Sequence, residues 1–185
     1  MSEIYVDLEF TPNPDSLKYL VNRSILTKGT LFLSSAEEAK EKSELAESLF
    51  QLGGIKSVML GAGFVTVSLQ SQDELHELNE KITECIRAHL KEGRPVVKPG
   101  AIQESTDQTF SEVEQKIVDF LNAEVRPAVA MDGGDIQFES FQEGVVYLKM
   151  QGSCSGCPSS LMTLKEGVES RLKTLVPEVK EVVPV

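Results

Sequence analysis

The period of apolar positions changes several times along this 185-residue chain, and each change marks an element. Ile4, Val6 and Leu8 alternate with Glu3, Asp7 and Glu9, the period of two of a strand with one buried face. Thr11-Pro12-Asn13-Pro14-Asp15 interrupts it with turn residues, alternation resumes at Leu17, Tyr19 and Val21, and residues 30–33 supply a third short strand. Ser35 and Glu38 have the spacing of a capping box, opening a helix that carries Leu45, Leu49 and Leu52 and stops at Gly53-Gly54. Residues 56–60 and 64–69, joined by Gly61-Ala62-Gly63, predict a hairpin. A second helix follows over residues 73–90, with Leu75, Leu78, Ile82, Ile86 and His89 or Leu90 on one stripe. The order β-β-β-α-β-β-α predicts a two-layer α+β sandwich over residues 1–92.

From residue 93 to 108 the periodicity disappears among Gly93, Pro95, Pro99, Gly100, Ser105 and Thr106, which predicts a linker. A second small domain, residues 109–185, opens with a helix capped by Thr109 and Glu112, with Phe110, Val113, Ile117 and Leu121 on its buried face. Pro127 is expected to kink or end that helix. Asp132-Gly133-Gly134-Asp135 is a turn into a strand at Ile136 and Phe138. Glu143-Gly144 turns the chain back into residues 145–150, so these two strands pair antiparallel. A long helix with Leu161, Leu164, Val168, Leu172 and Leu175 facing inward ends at Pro177, and residues 179–185 return as a third strand. This unit reads α-β-β-α-β, so the whole chain is α+β in two small domains.

Composition narrows the function. With 41% hydrophobic residues the chain can bury a core, and 18 Lys and Arg against 29 Asp and Glu leave a net charge of −11. That balance disfavours phosphate backbones and anionic membranes, and no apolar run approaches the ~20 residues of a spanning helix. Neither nucleic acid nor membrane is an expected partner. The first residues resemble neither a signal nor a transit peptide. The expected location is therefore cytoplasmic, or an organelle matrix if a transit peptide has been removed.

Three cysteines are present, Cys85, Cys154 and Cys157, and the last two form a C-x-x-C pair. An odd, low number does not describe a secreted disulfide framework, so the pair reads as metal-binding or redox-active. Pro158 suits the first position of a helix, which places both thiols at or just before its positive end, where the thiolate is favoured. Gly152 and Gly156 let backbone N–H groups approach the sulfur atoms. A zinc site or a 4Fe–4S cluster usually takes four protein ligands, and one chain offers two here. The others must come from a second chain, a small thiol or a partner protein. A two-fold dimer with the site on its axis supplies a matching pair. Such a surface-held cluster is easily surrendered, which suits a carrier. A dithiol oxidoreductase also places C-x-x-C after a strand and at a helix start. Against that reading stand Pro158 following the pair, the absence of Trp, and a preceding strand that belongs to a hairpin. A structural zinc dimer is the third possibility.

Gly152-Ser153-Cys154-Ser155-Gly156-Cys157-Pro158-Ser159-Ser160 closely resembles the C-terminal domain of NifU, the module of the Nfu iron–sulfur carriers. The segment from Arg126-Pro127 to Asp132-Gly133-Gly134-Asp135 is similar to the same family. Residues 1–92 resemble the Nfu N-terminal domain through Thr11-Pro12-Asn13-Pro14, Leu17-Lys18-Tyr19 and Val21-Asn22-Arg23. The resemblance implies a 4Fe–4S cluster bound between two chains by Cys154 and Cys157 of each. It implies a homodimer when loaded, an upstream cluster donor, apo iron–sulfur acceptor proteins, and no catalytic turnover. The chain lacks the separate scaffold and central ferredoxin-like domains of full-length NifU, which points to a place downstream of cluster synthesis.

The remaining chemistry-bearing residues have plainer readings. Cys85 shares a stripe with Leu78 and Ile82 and is expected to fill core. His76 and His89 have no partner at ligand spacing and are expected at the surface or its boundary. Asp132 and Asp135 read as turn and cap, Arg126 and Pro127 as setting the chain path, and Met131, Met150 and Met162 as packing.

Overall fold

The computed structural model describes residues 3–27, 29–101, 110–155 and 158–185, with the backbone alone for residue 74 and residues 158–165. The chain divides into two compact units, Met1–Glu104 and Ser105–Val185.

The first unit is built on strands β1 (Val6–Phe10), β2 (Ser16–Val21), β3 (Leu31–Leu33), β4 (Ile55–Leu60) and β5 (Phe64–Leu69). They form one antiparallel sheet in the order β1-β2-β5-β4-β3. Period two puts Leu17, Tyr19, Val65, Val67, Val58 and Leu60 in the core, and the register aligns Leu17 with Val67 and Val67 with Val58. Helices α1 (Ala36–Lys42), α2 (Glu44–Phe50) and α3 (Leu75–Lys91) contribute Ala39, Leu45, Leu49, Ile82 and Ile86 to the same cluster. The predicted two-layer α+β order is present, with one helix divided in two.

That division falls at Ser43, whose extended backbone (φ −150°, ψ 118°) ends α1 and caps α2. Its hydroxyl accepts the Ala46 N–H (3.1 Å) and donates to the Val96 carbonyl (2.6 Å). A serine hydroxyl competes with helical backbone for hydrogen bonds, and here a distant carbonyl settles the contest. Ser35 caps α1 as expected, but the Glu38 carboxylate reaches back to the N–H and hydroxyl of Ser34.

Two expectations for this unit need correction. His89, expected near the surface, is fully buried. It continues the Ile82–Ile86 stripe, and its Nε2 lies 3.2 Å from the Pro95 carbonyl. The chain beyond Gly93 does not leave the unit at once: Val96 and Val97 pack on the first core, and the Lys98 N–H donates to the Lys42 carbonyl (2.8 Å). The rest of the predicted linker, residues 102–108, lies outside the described residues.

The second unit begins with α4 (Glu112–Phe120), capped by Ser111 and Glu114 in a reciprocal capping box. The predicted cap at Thr109 lies outside the described residues. Pro127 does not end the helix. A single π-helical turn at Leu121–Val125 leads into α5 (Arg126–Met131), and Pro127 occupies its first turn, where a missing N–H costs nothing. Strands β6 (Gly134–Gln142) and β7 (Val145–Gly152) form the predicted hairpin. Its Glu143-Gly144 turn has positive φ at both residues (54° and 92°), as a two-residue hairpin loop of this kind requires. Helix α6 (Pro158–Leu175) then leads to β8 (Glu181–Pro184), which pairs parallel with β7. The strand before the cysteines therefore belongs both to a hairpin and to a β-α-β crossover, which removes one objection to a redox dithiol.

Ile117, Leu121, Ile136, Val146, Leu148, Val168, Leu172 and Val182 form the second core. Leu175, predicted to face inward, is 52% exposed, because Val176 just past the helix end fills the inward position. Leu161, Leu164 and Met162 have side chains outside the described set. Met150 packs against the core as expected, whereas Met131, at the end of α5, is exposed. No helix of the described residues is long and apolar enough to cross a membrane.

Candidate functional site

Strand β7 ends at Gly152, whose positive φ (63°) turns the chain into residues 153–155 ahead of α6. The Ser155 N–H donates to the Gly152 carbonyl (3.0 Å) and closes this turn. Cys154 stands in it, 5% exposed and counted with the second core. Pro158 is the first residue of α6, as the sequence predicts. Cys157 lies outside the described residues, so only Cys154 of the predicted pair has a described environment.

Part of that environment is backbone, and the rest is the second core. Gly134, the first residue of β6, pairs with Gly152 across the hairpin. A Cβ at Gly134 would lie 2.2 Å from Cys154 Sγ and 3.1 Å from the Cys154 nitrogen, so glycine is required for the sulfur to sit there. The Ser153 hydroxyl donates to the Asp132 carbonyl (2.6 Å), and its N–H donates to the Gly133 carbonyl (3.2 Å). The Asp132-Gly133-Gly134 turn is thus one wall of the cysteine turn. The sequence identified it as a turn. The paired glycines, one with positive φ and one under a sulfur, were the signal of its second role.

Asp132 and Asp135 do not act as a pair. Asp132 is exposed, whereas Asp135 is 2% exposed and bound by Arg126 in a two-pronged contact. Arg126 Nε donates to Oδ1 and Nη2 to Oδ2, each at 2.8 Å, and Oδ1 also accepts the Ile136 N–H (2.8 Å). The remaining prong, Nη1, donates to Asn122 Oδ1 (3.0 Å). The hydrogen-bonded Asp135 carboxylate pushes the Arg126 guanidinium further towards permanent protonation, against the opposing effect of burial. Sequence reasoning named both residues without pairing them. Beside them Gln151 is buried, donating to Gln137 Oε1 (3.4 Å), while its own Oε1 has no partner among the described residues.

The other candidates belong to the first unit. Cys85 packs against the core as predicted, and burial pushes its thiol up, opposed by the charge of Arg94. Desolvation pushes the buried His89 imidazole down, and its Nδ1 is unpartnered among the described residues. His76 is exposed. No group of three or more His, Cys, Asp or Glu among the described residues could hold a metal ion.

A cysteine before a helix N-terminus, cradled by glycine backbone, is suited to hold soft metal as thiolate or to exchange with another thiol. Asp135 does not compete for that task, because Arg126 holds both of its oxygens.

Comparison with known proteins adds to this geometry. Residues 6–93 match the family described as scaffold protein Nfu/NifU N terminal, and residues 117–183 match the NifU-like domain. The chain is 38% identical over 182 residues to the "NFU1 iron-sulfur cluster scaffold homolog, mitochondrial" of Drosophila persimilis, covering 97% of this chain and 64% of that one. It is 40% identical over 185 residues to the protein of the same name from Drosophila erecta, with the same coverage. The chain thus spans less than two thirds of the length of these relatives. Among solved structures, a NifU-like protein from Saccharomyces cerevisiae aligns with a TM-score of 0.47 and 21% identity, over 52% of this chain and 86% of that one.

Proposed function

We propose that this chain, which belongs to the Nfu/NifU family, carries an iron–sulfur cluster as cargo and hands it to apo-proteins. The observation that supports this best is the setting of Cys154: a thiol in a turn before a helix, against Gly134, where a Cβ would lie 2.2 Å from its sulfur. With Cys157 three positions on, one chain offers two thiolates, and a second copy completes the four of a 4Fe–4S cluster. Acceptor thiolates then replace Cys154 and Cys157 one at a time, so the protein exchanges ligands and is not an enzyme. The relatives' names, iron–sulfur cluster scaffolds, agree with this reading. Thiolate ligands require a reducing compartment, the cytoplasm or an organelle matrix, and those relatives are named mitochondrial. An upstream donor loads the site and apo iron–sulfur proteins empty it.

Thiol–disulfide exchange is the second reading, favoured by the β7–α6–β8 crossover that places the cysteine turn between strand and helix. The deciding experiment is anaerobic reconstitution with iron and sulfide, followed by an absorption spectrum, metal and sulfide counts and molar mass by light scattering. A brown dimer with about four irons supports the carrier. Cys154→Ser then abolishes the cluster and Cys85→Ser keeps it. A colourless monomer that cycles between dithiol and disulfide overturns the carrier in favour of the oxidoreductase, and a colourless dimer with tightly held zinc makes the metal structural.

A further inference from the structure

We infer that the Arg126–Asp135 ion pair is the positioning element of the cysteine turn, an assignment that rests on the carrier reading for its link to cluster handling. Arg126 is the first residue of α5 and Asp135 the second of β6, so their two-pronged contact ties the start of that helix to the start of that strand. The chain between them is thereby closed into a loop. Its Asp132 and Gly133 carbonyls grip Ser153, and Gly134 touches Cys154. Asp135 is adjacent to Gly134 in the chain, and its Oδ1 also takes the next backbone N–H, at Ile136. A carboxylate held by Arg126 on both oxygens and by the Ile136 N–H is not free to rotate, and the neighbouring peptide is held with it.

The economics of buried charge point the same way. Asp135 is the buried member of the pair and Arg126 is 32% exposed, so removing Arg126 strands a buried charge, whereas an apolar pair of similar volume would serve stability as well. What the ion pair adds is direction: a planar fork against a planar carboxylate admits one geometry, where a lysine offers only a point charge. Without it, the Asp132-Gly133-Gly134 turn keeps its contacts with Ser153 but loses its anchor to α5, and its two glycines are the residues least able to hold their own conformation. Cys154 lies against that turn.

The test uses the full chain with Asp135→Asn, which keeps the shape, and Arg126→Lys, which keeps the charge and loses the fork. Alkylation of Cys154 in the metal-free protein is followed by mass spectrometry, with hydrogen exchange read across the second unit. The expected result is alkylation about tenfold faster in Asp135→Asn, the cost of opening a local segment having fallen. Exchange rises at residues 132–134 and 153–155, while residues 117–121 and 168–172 keep their protection. Arg126→Lys falls between this variant and wild type. In reconstituted protein the variants lose cluster to a chelator faster, in the same order. Unchanged alkylation and local exchange in both variants overturns the assignment. So does loss of protection across the whole unit, which reduces the pair to a structural one. A wild type that takes up no cluster sinks the carrier reading, and the alkylation result is unaffected by that failure.

Discussion

Cys85 and Cys154 are both shielded from water, and their surroundings differ in kind. Cys85 sits on α3 in the first unit, against an apolar cluster of side chains, and burial pushes its thiol up. Cys154 is the more buried of the two at 5% exposed, and although it belongs to the second core it stands in a turn against Gly134 rather than on a helix. Exposure alone therefore does not separate a cysteine that only packs from one that is a candidate ligand. A thiol on a helix stripe packs, whereas a thiol in a turn ahead of a helix N-terminus is in a setting that favours the thiolate.

The sharpest way to break this comparison is one methyl group. Gly134→Ala would put a Cβ 2.2 Å from Cys154 Sγ, so the sulfur or the β6–β7 pairing must move. Overpacking of this kind costs about 1–3 kcal/mol, and we expect cluster uptake to be lost with it. The control lies in the same unit: a Cβ at Gly167 within α6 meets nothing within 4 Å, so Gly167→Ala should stabilise by about 0.5–1 kcal/mol. Iron counts after reconstitution and denaturant midpoints of the two variants decide it. A Gly134→Ala protein with full cluster and an unchanged midpoint would mean that the backbone cradle is not what holds Cys154.

How far the sequence alone reaches is visible around the same two sites. Cys85 on its stripe, the Glu143-Gly144 hairpin and Pro158 at a helix start all follow from local pattern, because each depends on neighbours within a turn or two. The break at Ser43 does not, since the run from Ser35 to Leu52 is helical in pattern and the carbonyl that captures the Ser43 hydroxyl belongs to Val96. His89 looked peripheral for the same reason: residues 95–97, without periodicity, fold back over it. In the second unit the turn at Asp132–Asp135 was legible. The partnership of Asp135 with Arg126 was not, because it depends on how α5 returns to β6. Local pattern thus located the cysteine turn, and non-local contacts determine what holds it.

Ser43 and His89 sharpen the first unit's side of the comparison, where buried polar groups fasten chain to chain. Ser43→Ala removes the cap of α2 and leaves the Val96 carbonyl without its donor, a loss of about 1–2 kcal/mol read from a urea titration. An unchanged midpoint would mean that residues 95–97 are not fastened there. His89 gives a smaller, pH-dependent effect. Desolvation holds the folded imidazole below its ordinary value of 6.5, reinforced by Arg94 and opposed by the Pro95 hydrogen bond, Glu44 and Glu92. Above about pH 6.5 the ring is neutral in folded and unfolded chains, and stability is flat. As pH falls through that value the unfolded chain takes up the proton first, so the unit loses stability until the buried ring is protonated too. His89→Gln should flatten this slope below about pH 6.5, measured by hydrogen exchange in α3. Equal slopes in the variant and wild type would show that the ring is not held neutral.

The smallest effect compares two caps made by the same residue type. Ser111 opens α4 at the surface, its hydroxyl accepting the Glu114 N–H (3.3 Å) while the Glu114 carboxylate takes the Ser111 N–H (2.9 Å). Those hydrogen bonds hold the Glu114 carboxyl below its usual range. Water can replace each of these contacts when the serine is removed, because both residues are exposed. Ser111→Ala should therefore cost about 0.5–1 kcal/mol, the low end for an N-cap, against the larger loss at Ser43. The difference between the two is the contribution of the Ser43–Val96 hydrogen bond and its burial, since the capping hydrogen bond is common to both. Matched urea titrations of the two alanine variants measure it. Equal losses would mean that the bond from Ser43 to Val96 adds nothing to its cap, and that the stretch after Gly93 is held by apolar packing alone.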